Sequence, residues 1–456
     1  MKHMHSRFNP RELSDFARYY GFHYDGLDPI ALVRDVLVDM ERGLDGRDSS
    51  LPMIPSYITP VSRVRAGRTV LALDAGGTNL RVSRVRFDDD GKAIAEGTQK
   101  HPMPGTTGRV GADRFFDMIA QAVLPVLGDA SDIDGIGFTF SYHMEIRPDA
   151  DGVLLAFSKE IDAPEVIGKA IGAGLREALA RKGRVYDGPI VMLNDTAATL
   201  LSGLAAIPGD GPVIGFILGT GFNTAYPETS IPKIGFESRD APQIVVCETG
   251  TFSPRCRGTL DREFDDTTKT PGAYALEKAA SGAYLGPLTT HVLKRAVRDG
   301  LIRFERSDLF LGLPGLDTKT VNEFCSAPFA TGVRDGPLGS LFGPDETDAI
   351  AAVQYLFSIV VERGAMFAAA ILAATVGRIR PDCRTPDLSR RGDDPYAPIR
   401  IAVEGTTYMA CKGMRRSLDA WLHTMLADGM PRPYVMAPVD QASLLGAAVA
   451  ALGRLG

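Results

Sequence analysis

The sequence predicts an α/β chain of two domains facing one another across a ligand, and three observations carry that prediction. Short apolar strands alternate with helix-period segments along most of its length. Its 456 residues exceed what one ordinary core accommodates, so two domains are expected. The third observation is an internal echo. Asp74-Ala-Gly-Gly-Thr-Asn79 and Leu218-Gly-Thr-Gly-Phe-Asn223 both follow an apolar strand and both end in Asn, and Ala402-Val-Glu-Gly-Thr-Thr407 is a third strand-to-Gly turn. Two similar strand–loop devices far apart in the chain imply two related domains, and no short repeat period suggests a solenoid.

In chain order, residues 11–45 carry helical apolar spacing (Leu13, Phe16, then Ile30, Val33, Val36, Leu37, Met40), interrupted at Gly26 and Pro29. The Pro-punctuated run Met53 to Pro60 is not helical. Val70 to Leu73 and Leu80 to Phe87 read as a β-hairpin around the Gly76-Gly77 corner. A helix spans Asp113 to Leu127 with Asp113 as its N-cap. Ile136 to Ser141 is a buried strand running into a polar loop. Asp162 and Glu165 resemble a capping box for the helix marked by Ile167, Ile171, Leu175 and Leu179, which stops at Gly183. Strands follow at 189–193, 212–218 and 399–403, with helices after Asn194-Asp195-Thr196, over 348–377 and over 443–453. Residues 383–398, rich in charge and Pro, form an exposed loop.

Composition excludes several classes. The chain is 45% hydrophobic and 23% charged, which is ordinary for a globular protein. A net charge of −6 gives no basic excess for nucleic acid or a membrane surface. The cysteines (Cys247, Cys256, Cys325, Cys383, Cys411) and seven histidines are dispersed, so neither a zinc pattern nor a disulfide framework is expected. The polar N-terminal fifteen residues lack a signal-peptide h-region, and the longest apolar stretch, Ala365 to Val376, is short for a bilayer. A soluble cytoplasmic protein is the expectation.

The chemistry concentrates at the glycine corners. At Gly76-Gly77 the backbone N–H groups can approach an anion, with Thr78 and Asn79 beside them and Asp74 facing a cation bound to that anion. An ordinary tight hairpin is the other reading. The P-loop, the dinucleotide fingerprint and the protein-kinase set are all missing from the sequence. Asp195 stands where a strand ends and a helix begins, so the helix N-terminus favours its ionised carboxylate. Either it accepts a proton from a substrate or the Asn194-Asp195-Thr196 triplet merely caps the helix.

Taken together, the blocks resemble one family. Asp74 to Arg81, Phe138-Thr-Phe-Ser141, Leu193-Asn-Asp-Thr196, Gly219-Thr-Gly-Phe-Asn223, Glu248-x-Gly-x-Phe252, Asp261-Arg262, Pro271-Gly272, Glu277-Lys278-x-x-Ser-Gly282 and Tyr284-Leu-Gly286 occur in the order seen in eukaryotic-type hexokinases. The resemblance runs from about Met53 to the C-terminus. It implies the actin/Hsp70/sugar-kinase (RNase H-like) fold, with mixed sheets and a cleft between a small and a large domain. The large domain would take residues 1–67 and 194–441, and the small domain 68–193 and 442–456. Each motif occurs once, as for a single catalytic unit.

The resemblance also implies transfer of the ATP γ-phosphoryl group to the 6-hydroxyl of a hexose, with glucose as the expected acceptor. Asp195 would be the base and Lys159 its catalytic companion. Ser141, Ser158, Lys159, Asn194, Asp195, Asn223, Glu248 and Glu277 would bind the sugar, as matching a ring of hydroxyls requires. Gly76, Gly77, Thr78, Asn79, Arg81, Gly219, Thr220 and Gly221 would hold phosphates, with Gly405, Thr406 and Thr318 beside the adenosine. Asp74 would orient Mg²⁺ through water. Read alone, Glu248 and Glu277 are solvated charges and Lys159 a surface lysine, and only the family pattern reverses this; an ordinary turn is the other reading of Gly405.

The chain departs from the family at Tyr142-His143, usually Phe-Pro, and at Ser158, usually Thr. Thr249 replaces a Trp, Phe222 a small or polar residue, and Glu404 an Asp. His143 reads as a loop residue. These departures leave the preferred hexose open. Two other functions stay open as well: a hexose sensor with little turnover, and an ATPase indifferent to sugar.

Overall fold

The computed structural model describes residues 7–60, 66–89, 92–157, 161–209, 211–238, 241–331, 335–379, 397–429 and 432–453. Ser158, Lys159 and all but the last two residues of the loop expected at 383–398 lie outside them.

The apolar runs pair into two sheets of one design. The first holds β1 (Thr69–Gly76), β2 (Asn79–Phe87), β3 (Ala93–Pro102), β4 (Gly135–Phe140) and β5 (Ile190–Leu193) in the order β3-β2-β1-β4-β5. The second holds β6 (Val213–Leu218), β7 (Phe222–Glu228), β8 (Gln243–Val246), β9 (Ile399–Glu404) and β10 (Tyr434–Pro438) in the order β8-β7-β6-β9-β10. The two-residue strand Ile54–Pro55 lies outside β8. In each sheet the first three strands pair antiparallel and the last two join in parallel. The parallel strands β4 and β5 are buried at every position, as strands covered on both faces must be, whereas β2 alternates.

Helices fill the layers. The interrupted N-terminal pattern becomes α1 (Pro10–Tyr19), capped by Asn9, and α2 (Pro29–Leu44), capped by Asp28. Helices α3 (Ala112–Leu127) and α4 (Ile171–Arg181) bring Phe115, Ile119, Leu175 and Leu179 to Phe138 and Phe140 of the first sheet. Helix α5 (Asp195–Ala206) leaves β5 at the site described below. Helices α6 (Ala275–Ala280) and α7 (Thr347–Arg378) belong to a separate core with α1, α2 and Phe216 of β6.

Helix α8 (Ala442–Gly453) joins α5 between the sheets, where both share a core with Val70 and Ala72 of β1 and Val213, Ala225 and Ala402 of the second sheet. Small residues permit that layer. A Cβ on Gly446 would lie 1.9 Å from the Ala198 carbonyl oxygen, and one on Gly137 1.8 Å from that of Ala447. The β5–α5 junction is thereby fixed against both sheets.

Three local expectations are corrected. Asp113 is not a cap: α3 starts from Gly111, which has no side-chain cap, and Ala112 N–H donates to the Glu165 carboxylate at 3.2 Å. Glu165 therefore serves a helix distant in sequence, and α4 begins at Ala170 without a capping box. The apolar stretch at 365–376 is part of a helix long and apolar enough to cross a bilayer by length and composition, yet 89% of its most apolar window is buried within the protein. Arg363 of α7 is buried there too, paired with Asp261 at 2.9 and 2.5 Å, which gives Asp261 a structural role.

Candidate active site

The β5–α5 junction divides two tasks between neighbours. Asn194 is the cap, its side-chain oxygen accepting from Thr196 N–H at 2.7 Å. Asp195, in the first turn, takes a hydroxyl bond from Thr196 at 3.2 Å. Of the two sequence readings of the triplet, the cap is therefore met by Asn194.

A second group gathers at the β6–β7 corner. The Asn223 amide donates to Glu248 at 2.9 Å, while its carbonyl oxygen accepts from Thr224 N–H at 2.8 Å and Thr249 N–H at 3.3 Å. Glu248 sits in the left-handed region at φ 57°, a conformation few side-chain-bearing residues adopt. Glu277, in the first turn of α6, packs so tightly that a Cβ on Gly250 would lie 2.9 Å from its carboxylate.

These are not solvated charges. Burial pushes Glu248 up to about 7; the Asn223 amide opposes the shift, and the charges of Asp195 and Glu277 add to it. Glu277 is also raised by burial, against the pull of the Phe222 N–H and Lys278. Asn194, Asp195, Asn223, Glu248 and Glu277 therefore form one polar cluster.

The second glycine corner reaches this cluster, a Cβ on Gly221 falling 3.3 Å from the Glu277 carboxylate, and the first is linked to Asp195 through Glu404. At the first, Gly77 takes φ 61° and Asp74, buried at the end of β1, lies 3.5 Å from Arg81. A Cβ on Gly76 would fall 3.6 Å from the Asp74 carboxylate and 4.0 Å from Ser141 Oγ, so Ser141 stands beside this corner. Thr78 is exposed and Asn79 half-exposed, its amide 3.2 Å from the Thr78 hydroxyl.

At the second corner Gly219 is buried, and its carbonyl accepts from Gly282 N–H at 2.7 Å and Thr407 Oγ1 at 2.8 Å. Thr220 is exposed at the tip, and beneath it Gly219 N–H donates to the Gly221 carbonyl at 3.0 Å. Gly405 takes φ 126°, and a Cβ there would sit 2.3 Å from the Leu218 carbonyl, so only glycine lets these backbones touch. Thr406 follows, exposed, at the start of a short helix.

Thr318 Oγ1 accepts from Gly286 N–H at 2.7 Å. Its helix is tied to the Thr406 helix through Asn322, which donates to the Ala410 carbonyl at 3.0 Å and accepts from Lys412 N–H at 2.7 Å.

Glu404 is the group that sequence reasoning undervalued. Thr199 Oγ1 bonds its carboxylate at 3.2 Å, and burial pushes it up to about 7. The charges of Asp195 and Asp74 raise it further, whereas Thr199 and Arg81 oppose. It therefore senses both the β5–α5 junction and the first corner. The Glu-for-Asp departure before Gly405 was the signal that marked it.

Two other departures do not obstruct the site. Phe222 turns into the core against Phe216 at 5.8 Å, and buried Thr249 bonds the Phe222 carbonyl at 3.3 Å. A cavity of about 1070 Å³ lined by Tyr408, Arg415, His423 and Tyr434 lies along the β10 edge, and none of the site residues named above lines it.

The sequence and the fold both have counterparts among known proteins. Two sequence profiles, both described as Hexokinase, match residues 19–205 and 213–453. Hexokinase-2 of Candida albicans is 26% identical over 454 residues, spanning 92% of this chain and 88% of that protein. Human Hexokinase-3 is 28% identical over 386 residues, and the match spans 81% of this chain but 39% of that protein. A solved hexokinase from Schistosoma mansoni, complexed with glucose, superposes with a TM-score of 0.75 at 23% identity, covering 98% of this chain and all of that one, and so shares its fold.

Proposed function

The chain belongs to the hexokinase family, and from that premise we propose that it transfers the γ-phosphoryl group of ATP to the 6-hydroxyl of a hexose, glucose foremost. The observation that carries the reading is the placement of Asp195. It follows the cap Asn194, and its charge reaches both Glu248, bonded to Asn223, and Glu404, which also feels Asp74 at the first corner. Residues 1–67 and 194–441 would form one lobe, and 68–193 with 442–456 the other.

In this reading the hexose hydroxyls pair with Asn194, Asn223, Glu248 and Glu277, joined by Ser141, Ser158 and Lys159. Asp195 accepts the proton of the attacking hydroxyl. Phosphoryl transfer asks little covalent chemistry of a protein and much positioning, which the backbone at Gly76–Asn79 and Gly219–Gly221 supplies. Burial raises both Glu248 and Glu404 well above the usual carboxylate range, which eases the negative charge around Asp195.

Mg²⁺ fits the first corner on its donor chemistry. Among the described residues no three His, Cys, Asp or Glu are grouped to hold a metal, but one buried carboxylate, Asp74, suits an ion that keeps its waters and takes phosphate oxygens. When bound, Mg²⁺ would neutralise charge on the transferred group. The four described cysteines are free thiols, which supports a cytoplasmic setting.

The packed positions of Phe222 and Thr249 favour an enzyme over a sensor, because neither intrudes among the polar groups. A panel of hexoses with MgATP and coupled ADP detection tests the activity. In Asp195→Ala, kcat should fall by about 10²- to 10⁴-fold while calorimetric hexose binding persists. Undiminished turnover in that variant would remove Asp195 as the base, and ATP hydrolysis indifferent to every hexose would make the chain an ATPase.

A further inference from the structure

The family pattern breaks at Tyr142-His143, and the structure gives both residues partners. Tyr142 is buried against Phe140 and Phe157, with ring centroids at 4.8 and 5.1 Å, and its hydroxyl donates to the Gly77 carbonyl at 2.6 Å. That bond anchors the segment to the first glycine corner. His143, exposed, begins the short strand His143–Ile146, and its Nε2 lies 3.5 Å from the Tyr274 hydroxyl. The phenol donates to this nitrogen or accepts from it, according to the tautomer.

The two partners belong to different cores. Tyr142 and Met144 pack with the first sheet, whereas Leu276, Ala279 and Ala280, just after Tyr274, pack with the second. Tyr274 stands immediately before α6 at φ 55°, a left-handed conformation that bulky residues rarely adopt. The surrounding loop is fastened through Asp265, which accepts from Gly272 N–H at 3.0 Å and Arg257 at 2.6 Å and pairs with Lys278. So held, the Tyr274 phenol lies within electrostatic reach of Glu277 and Glu248. A contact bridging the two cores beside the sugar-facing carboxylates, built from an exposed and a half-buried side chain, is placed to form and break as the cleft moves.

We propose that His143 and Tyr274 form a clasp across the sugar end of the cleft, making both of them positioning residues for the bound hexose. The proposal rests on the hexokinase reading. A clasp made in the hexose-bound state strengthens hexose retention and keeps water from the γ-phosphoryl group, while leaving the transfer step itself to Asp195.

The test compares His143→Ala, Tyr274→Phe, their double variant and His143→Gln in the full chain, with glucose and MgATP. Each of the first two should raise the glucose KM about three- to tenfold, as loss of one modest hydrogen bond does. Values of kcat should stay within about twofold and the ATP KM should not move. The double variant should be no worse than the weaker single, and His143→Gln should recover most of the lost affinity. With glucose saturating, ADP formed in excess of sugar phosphate should rise in the singles. An unchanged glucose KM in both singles, or losses that multiply in the double, would overturn the clasp. A wild-type chain that phosphorylates no hexose would instead overturn the reading beneath it.

Discussion

The two halves of the molecule use the same five-strand arrangement and put a glycine corner at the same place, between the first two antiparallel strands. They then treat that corner oppositely. Asp74 ends the first central strand beside Arg81, and its corner stays partly open. Leu218 ends the second, wholly buried, and its corner is clamped by Gly282, Thr407 and Gly405. One corner keeps charge where a triphosphate and its cation would sit. The other gives up charge for a rigid backbone and turns Asn223 toward Glu248. A duplicated backbone thus yields an asymmetric site through what replaces one aspartate.

If the second corner is rigid by construction, filling it should damage the whole fold. Gly405→Ala would force a Cβ to 2.3 Å from the Leu218 carbonyl and 2.6 Å from Gly219 N, at a φ of 126°. Backbone strain and overpacking together should cost about 3 kcal/mol or more, read as a lower urea midpoint with glucose and nucleotide absent. A stability equal to wild type would show that this corner yields as easily as the first.

Replacing the charge of the open corner should do the converse. Asp74→Asn keeps the shape beside Arg81 but removes the carboxylate, so kcat/KM for MgATP should drop about tenfold to a hundredfold. Stability should change by less than about 1 kcal/mol, since the Arg81 partner is half-exposed. Calorimetry and steady-state kinetics on the one variant check both statements. An unchanged MgATP dependence would leave the comparison without its chemical half.

This contrast marks how much the sequence disclosed. Both corners were legible because Gly-Gly or Gly-x-Gly after an apolar run is a local signal, and the strands beside them follow from short apolar runs. The capping of α3 was not legible, because its partner Glu165 arrives from 53 residues away while Asp113 offered a nearer, false match. Glu248 and Glu277 looked like surface charges for the same reason. Only the pairing of Ala225 with Val246, between β7 and β8, carries Asn223 to Glu248 and takes that carboxylate out of water. Asn194 and Asp195 were identified as a pair, but which one caps is a matter of distances, not of letters.

The burial of Glu248 sharpens the comparison most finely, through pH. Its carboxyl titrates at about 7 in the folded protein, against about 4.3 in an unfolded chain. A raised acid contributes stability that is fully present below the unfolded value and is lost as pH climbs through 7. In Glu248→Gln the Asn223 bond can persist and the titration disappears. The stability gap between the variant and wild type should therefore widen in the variant's favour from pH 5 to about pH 8, by about 1–2 kcal/mol once residual solvent contact is allowed for. Urea midpoints of the two ligand-free proteins at pH 5, 6, 7 and 8 measure the gap. A gap constant with pH would mean that Glu248 ionises as freely as a surface residue, and the second corner would then hold a full charge after all.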